Sequence, residues 1–260
     1  MSETLLIRSA SRTDKGNVRK INEDSCVDLP AKRLWAVADG MGGHAGGDIA
    51  SGMIVEALRG VSREDTPARF IDAVEDAVIA VNGRLCDLSA EREPGAVIGS
   101  TLAMLMSFPT HCVVAWAGDS RVYRLRGQEL VQVTLDHSQV EEMIAQGTIT
   151  REEGKDHAAS NIVTRAVGGS RELFLDLDLL ELQAGDRFLI CSDGLYKELP
   201  DEEIARHLRS GDAEAACAAL VAEALKHECR DNVTAVVVDF QSTDAEPLLD
   251  NPDRTITLVP

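Results

Sequence analysis

From Leu34 to Ala38 the chain is unbroken apolar sequence, and it then stops on an acid, Asp39. A glycine-rich run follows (Gly40-Met-Gly-Gly-His44), and after it apolar residues recur at helical spacing from about Gly47 to Leu58. The order reads as a buried strand, a sharp turn and a helix, with Asp39 delivered to the exposed end of the strand. Three other places put an acid beside an apolar run: Gly118-Asp119-Ser120-Arg121, Ser192-Asp193-Gly194-Leu195 and Arg230-Asp231-Asn232.

The same patterning organises the remainder. Leu5–Ala10 predicts a first strand, with 11–17 a polar turn. Cys26–Leu29 and Leu34–Ala38 predict a strand pair around Pro30-Ala-Lys-Arg33. Pro67–Leu88 predicts a long helix with Phe70, Ile71, Val74, Ala77, Val78, Val81 and Leu85 on one face, followed by a loop over 91–98. Ser100–Ser107 with His111–Ala117, and Val122–Leu125 with Leu130–Thr134, predict antiparallel strands on short turns. The segment 137–169 is polar, carries one helix-like piece at Gln139–Ala145 and shows no clear core face, as expected of a flap over a site. Strands resume at Leu173–Leu182, Arg187–Cys191 and Val233–Phe240, with helices at Asp201–Leu208 and Ala213–Lys226. Alternating strand–helix–strand units are absent. The class is therefore α+β: two mainly antiparallel sheets face to face, flanked by helices, in one domain over 1–240. Residues 241–260, with three prolines and several acids, read as a flexible tail.

Composition narrows the function. Apolar residues make up 44% of the chain and aromatics 3%, so the expected core is aliphatic and rich in alanine. A net charge of −18 argues against nucleic acid or an anionic membrane as partner, because phosphate backbones need clustered Lys and Arg. The six cysteines form no Cys-x-x-Cys pair, and two of them, Cys112 and Cys191, lie inside apolar runs. That pattern disfavours zinc and a disulfide framework. With neither an apolar leader nor a membrane-length run, a cytoplasmic monomer is expected.

The acids carry the chemistry. Asp39, Asp119, Asp193 and Asp231, with Glu23 and Asp24, each border a predicted strand. If the fold gathers those strand ends, the carboxylates repel one another and raise each other's pKa unless cations bind. Oxygen ligands select hard divalent ions, Mn²⁺ or Mg²⁺, and two such ions roughly 3.5–4 Å apart activate water and clamp a phosphoryl oxygen. Arg19, four residues before Glu23, supplies a guanidinium suited to two phosphate oxygens. Together these point to phosphate-ester hydrolysis. A single Asp-Gly is ordinarily just a turn, and a lone Arg19 is ordinarily a surface residue. The run from Gly40 to Gly47 lacks the Gly-Lys-Ser/Thr ending of a nucleotide-binding loop. His44 reads as a helix start and His137 as an anchor for the flap.

The motifs also occur in a familiar order. They are 19–25, 38–44, Gly99-Ser-Thr-Leu-Ala103, Ala117-Gly-Asp-Ser-Arg121, Leu135-Asp-His-Ser138, Thr164-Arg-Ala-Val-Gly168, Cys191-Ser-Asp-Gly-Leu195 and Asp231-Asn-Val-Thr234. Over about 5–240 the chain resembles the bacterial PP2C-type (PPM) protein Ser/Thr phosphatases. The resemblance implies an α-β-β-α sandwich with Mn²⁺ or Mg²⁺ in a cleft at one end. It implies Asp39 bridging two ions, Asp193 and Asp231 completing the first site, and the Gly40 carbonyl binding the second with Glu23 nearby. Asp24 would support that shell. A third, weaker ion would use Asp119 and Asp193, approached by Ser160 of the flap. Arg19 would bind the substrate phosphate, and water activated between two ions would attack phosphorus without a phosphoenzyme. In one respect the chain departs from the pattern. Animal relatives carry a proton-donating His directly after the Asp-Gly, where this chain has Met41.

The implied substrates are phosphoserine and phosphothreonine in proteins, opposing a bacterial eukaryotic-like Ser/Thr kinase. A phosphorylated anti-sigma antagonist is an alternative substrate. A pseudophosphatase, a phosphoprotein-binding module without turnover, is the alternative of a different class. In the tail, Thr255 and Thr257 are candidate phosphorylation sites.

Overall fold

The computed structural model describes residues 5–42, 46–92, 96–155 and 157–243. His44, Thr255, Thr257 and the tail from 244 onward lie outside the described residues. Among the described residues eleven strands and seven helices follow in order: β1 Leu5–Asp14, β2 Asp24–Leu29, β3 Leu34–Met41, α1 Gly47–Gly60, α2 Pro67–Ala90, β4 Gly99–Ser100, β5 Leu102–Ser107, β6 His111–Ala117, β7 Arg121–Arg126, β8 Glu129–Gln132, α3 Gln139–Ala145, α4 Arg151–Lys155, β9 Asp176–Glu181, β10 Arg187–Cys191, α5 Asp193–Tyr196, α6 Asp201–Leu208, α7 Ala213–Ala224 and β11 Val233–Ser242. One sheet runs β1-β11-β10-β7-β8 and the other β2-β3-β5-β6-β9, with β4 paired to β3. All of their pairings are antiparallel.

Why the central strands read as continuous apolar runs is visible in where alternate residues go. Along β11, Val233, Ala235 and Val237 face α7, while Val236, Val238 and Phe240 face the opposite sheet. Along β3, Leu34, Ala36 and Ala38 face the α1–α2 layer, while Trp35 and Val37 point between the sheets. Strands covered on both faces need no polar alternation. Three apolar layers result, one under each helical cover and one between the sheets, which makes the α-β-β-α sandwich. The cores are aliphatic, as the composition predicts, with one qualification. Trp35, Phe188 and Phe240 meet edge-to-face at the centre of the inter-sheet layer, with centroids 6.2 and 5.8 Å apart.

The boundaries differ from the sequence reading in places that have physical reasons. β1 continues through the expected turn to Asp14, because Ser11–Asp14 pair with Val236–Val233 of β11. An edge strand needs only one apolar face, so polar alternation is compatible with pairing. β3 runs past Asp39 to Met41, because Gly40 and Met41 pair with Ser100 and Gly99. β9 begins at Asp176, and Leu173 and Leu175 pack against the helical layer without joining the sheet. The single turn α5 is too short to show any periodicity in the sequence. No helix among the described residues is long and apolar enough to cross a membrane.

Candidate active site

In an antiparallel sandwich, strand starts and strand ends share one edge. Here the start of β2, the end of β3, the start of β7, the end of β10 and the start of β11 all fall at the same end of the two sheets. These are the positions that carry Asp24, Asp39, Asp119, Asp193 and Asp231. Asp24 lies directly opposite Asp39 in the β2–β3 register, so the two side chains share a face. Burial first, and then Asp24, Asp193, Asp119 and Asp231 in turn, raise the pKa of Asp39 well above the ordinary carboxylate value. Burial likewise raises Asp24 to about 7 and Asp119 to about 7.

Asp24 is held from the far sheet. Its Oδ2 accepts hydrogen bonds from the Ser192 hydroxyl at 2.7 Å and the Thr234 hydroxyl at 2.6 Å. Ser192 Oγ in turn accepts from the Thr234 amide at 3.0 Å. Asn232, also buried, fixes the 15–23 loop: its Nδ2 donates to the carbonyls of Lys15 and Ile21, and its Oδ1 accepts from the Glu23 amide. Arg19, on that loop, donates to Asp231 Oδ2 at 2.7 Å from a half-exposed position at the mouth. Asp39 is anchored through its backbone, its carbonyl accepting from the Thr101 amide and the Ser100 hydroxyl, both at 2.9 Å.

Two close approaches require glycine. A Cβ on Gly47, at the start of α1, would meet Glu23 Oε1 at 2.6 Å and the Gly40 carbonyl oxygen at 2.7 Å, so those two oxygens converge on one spot. A Cβ on Gly194 would meet the Asn232 carbonyl oxygen at 2.1 Å, which is how α5 and the start of β11 come close enough to gather Asp193 with Asp231.

The residues fit divalent cations. Asp24 Oδ1 and Asp193 Oδ1 are buried without a hydrogen-bond partner, an arrangement that is costly for a carboxylate unless a cation serves it. The donors are all oxygens, which suits Mn²⁺ or Mg²⁺. Among the described residues no three acids are already drawn into a coordination cluster. Protein cations hold two of them instead: Arg19 on Asp231, and Lys197 on Asp193 at 2.5 Å.

The protein phosphatase 2C family profile matches residues 15–236. This chain belongs to the protein phosphatase 2C family. It is 37% identical over 250 residues to the Serine/threonine protein phosphatase PstP of Mycobacterium tuberculosis, covering 95% of this chain and 48% of that protein, so the chain spans about half the length of this relative. It is 33% identical over 240 residues to the Serine/threonine phosphatase stp of Listeria monocytogenes, across 89% of this chain and 95% of that one. Among solved structures, PppA of Pseudomonas aeruginosa superposes with a TM-score of 0.84 at 40% identity, covering 90% of this chain and 97% of that one. The catalytic domain of PstP in complex with two manganese ions superposes at 0.81 and 36% identity, covering 92% and 100%. The two-metal cofactor inferred from the acids is thus seen in a family relative.

Within this protein phosphatase 2C chain, some functional neighbours escape sequence reading. Ser192 and Asn232 sit beside predicted acids, and polar residues flanking an apolar run were the available signal. Lys197 and Asn161 carried no signal. Lys197 Nζ donates to Asp193 Oδ2 and to Asn161 Oδ1 at 2.6 Å, so Asn161 is the flap residue tied to the cluster. Its neighbour Ser160 is held through its amide, which donates to the His157 carbonyl. His137 does anchor the flap. Its Nδ1 accepts from the Gly118 amide at 3.1 Å and its Nε2 meets Asp176 Oδ2 at 3.1 Å, while the ring stacks on Trp116. Accepting at Nδ1 leaves the proton on Nε2.

Proposed function

We propose that this chain hydrolyses phosphoserine and phosphothreonine in proteins as a metal-dependent phosphatase, with Asp39, Asp193 and Asp231 as the principal metal ligands. The observation that carries this is the convergence of five Asp side chains at one end of the sandwich, two of them with buried, unpartnered oxygens. Glu23, whose Oε1 accepts from the Gly47 amide at 3.2 Å, and the Gly40 carbonyl oxygen meet at Gly47 and would hold the second ion. Asp24 orients the cluster from behind through Ser192 and Thr234. Bound Mn²⁺ or Mg²⁺ supplies Lewis acidity and lowers the pKa of water.

The chain's own groups do the rest. Arg19 is half exposed, with guanidinium donors to spare beyond the Asp231 bond, and it places the phosphate over the cluster. A covalent route is disfavoured: burial raises the pKa of the nearby Cys191 thiol and keeps it protonated, and the Ser192 hydroxyl is committed to Asp24. The balance is one water consumed for one free hydroxyl and one inorganic phosphate. Met41 at the end of β3 offers no proton, so the leaving alkoxide takes its proton from water. The partners on this reading are phosphoproteins and the Ser/Thr kinase that modifies them, met by a monomer.

Phosphate release from a phosphothreonine peptide, titrated with Mn²⁺ and repeated in chelator, tests the proposal. Activity should require metal and collapse in Asp193→Asn. A metal-loaded wild type that binds phosphopeptides without releasing phosphate would replace this reading with a binding module.

A further inference from the structure

Lys197 lies four residues after Asp193, at the C-terminal end of the α5 turn. Its side chain is one-third exposed, and its ammonium spends two of three donors on Asp193 Oδ2 at 2.5 Å and Asn161 Oδ1 at 2.6 Å. Asp119 and Asp39 lie beyond Asp193, within electrostatic reach of the ammonium. The carboxylate cluster therefore has a protein cation on each side: Arg19 at Asp231, and Lys197 between Asp193, Asp119 and the flap.

Lys197 occupies Asp193 Oδ2 and leaves Oδ1 unpartnered, so Oδ1 stays free for the proposed two-ion site. A third ion seated on Asp119 and Asp193 Oδ2 would have to share that oxygen with the ammonium, and two cations on one oxygen repel strongly in a partly buried site. The flap gives a second reason to look here. No residue of α3 is buried; the flap is anchored at Ala159, Ala166 and Val167 and by the Ser138–Val163 and Ser100–Val167 bridges, and the Asn161–Lys197 bond is its side-chain tie to Asp193.

We infer that Lys197 is the resident cation of the flap side: its ammonium takes the place beside Asp119 and Asp193 that a third metal ion would need, and its second hydrogen bond fixes the flap through Asn161. The inference rests on the proposed two-metal reading and adds to it. It makes Lys197 a positioning residue, and it makes flap docking independent of a third ion.

The test compares wild type, Lys197→Met, Lys197→Arg and Asn161→Ala. Bound manganese is counted by calorimetry and elemental analysis, and amide exchange is followed over 157–164. Wild type and Lys197→Arg should bind two ions. Lys197→Met should gain a further, weaker site. Exchange over the flap should rise in Lys197→Met and in Asn161→Ala and stay low in Lys197→Arg. KM for a phosphopeptide should rise ~10-fold in both loosened variants, with kcat less affected. A third ion in wild type, an unchanged count in Lys197→Met, or unchanged flap exchange in Asn161→Ala overturns the inference. Should Lys197→Met not fold, the wild-type count decides the metal half and Asn161→Ala the flap half. Absence of phosphate release from manganese-loaded wild type would sink the phosphatase reading instead, with ion count and exchange still readable.

Discussion

The two sides of the carboxylate cluster are built differently. On the sandwich side, Asp24 is locked by hydroxyls from β11 and from the turn after β10, within a lattice of paired strands. On the flap side, Asp193 is met by a single lysine that reaches a single asparagine, on a segment whose α3 helix buries nothing. The first arrangement can shift only if strands separate. The second joins Asp193 to its segment through two side-chain hydrogen bonds, with the Ser138–Val163 bridge beside them. The difference lies in how the acids are held: through the strand lattice at Asp24, and through one side-chain relay at Asp193.

The largest expected effect comes from the shared centre. Asp39→Asn should lower kcat/KM by at least ~10³-fold and weaken manganese binding, measured by phosphate release and calorimetry. On the sandwich side, Thr234→Val removes one of the two hydroxyls on Asp24 and should cost about 1–3 kcal/mol, seen as a lower Tm in chelator. A cost as small on that side as on the flap would erase the contrast.

Titration separates the two sides again. In chelator, the folded chain keeps protons on Asp24 and Asp119 up to about pH 7, whereas an unfolded chain loses them near 4. The folded state binds more protons in that interval, so stability should fall as pH rises from about 4 to about 7. Manganese should reverse the fall, because it competes with those protons. Thermal melts at several pH values, with and without metal, check both signs.

The flap should respond the other way, and less. Burial lowers the pKa of His137, with Asp176 raising it and Arg165 lowering it in part. A depressed imidazole stabilises the flap above its unfolded pKa and loses that contribution as pH falls through its lowered pKa, when Nδ1 gains a proton and can no longer accept from Gly118. Limited proteolysis should cut within 137–169 faster at pH 5 than at pH 7.5, and His137→Ala should show the fast rate at both.

Much of this contrast was legible in the sequence, but unevenly. Strand acids announce themselves because an apolar run that stops on Asp sets a charge at the rim of a core, where it needs a partner, and four such runs together point to one site. The gathering of those ends follows from antiparallel pairing, which short turns such as 108–110 predict. Lys197 and Asn161 are 36 residues apart, and nothing in either local pattern refers to the other. Their contact exists only once the flap folds back. The run of β1 into 11–14 was hidden for a related reason: what makes those polar residues a strand is β11, more than two hundred residues away.

That pairing has a consequence for how the protein is made. The first and last described strands lie side by side over ten residue pairs, and Asp231 and Asn232 immediately precede the last of them. A ribosome must deliver almost the whole described chain before β1 finds its neighbour, before Asn232 can fix the loop that carries Arg19, and before the fifth acid arrives. Such late, long-range closure slows folding and leaves β1 exposed during synthesis. It also means that a nascent chain halted anywhere before β11 lacks Asp231 and Asn232 in place, so the acid cluster closes only when the domain is whole.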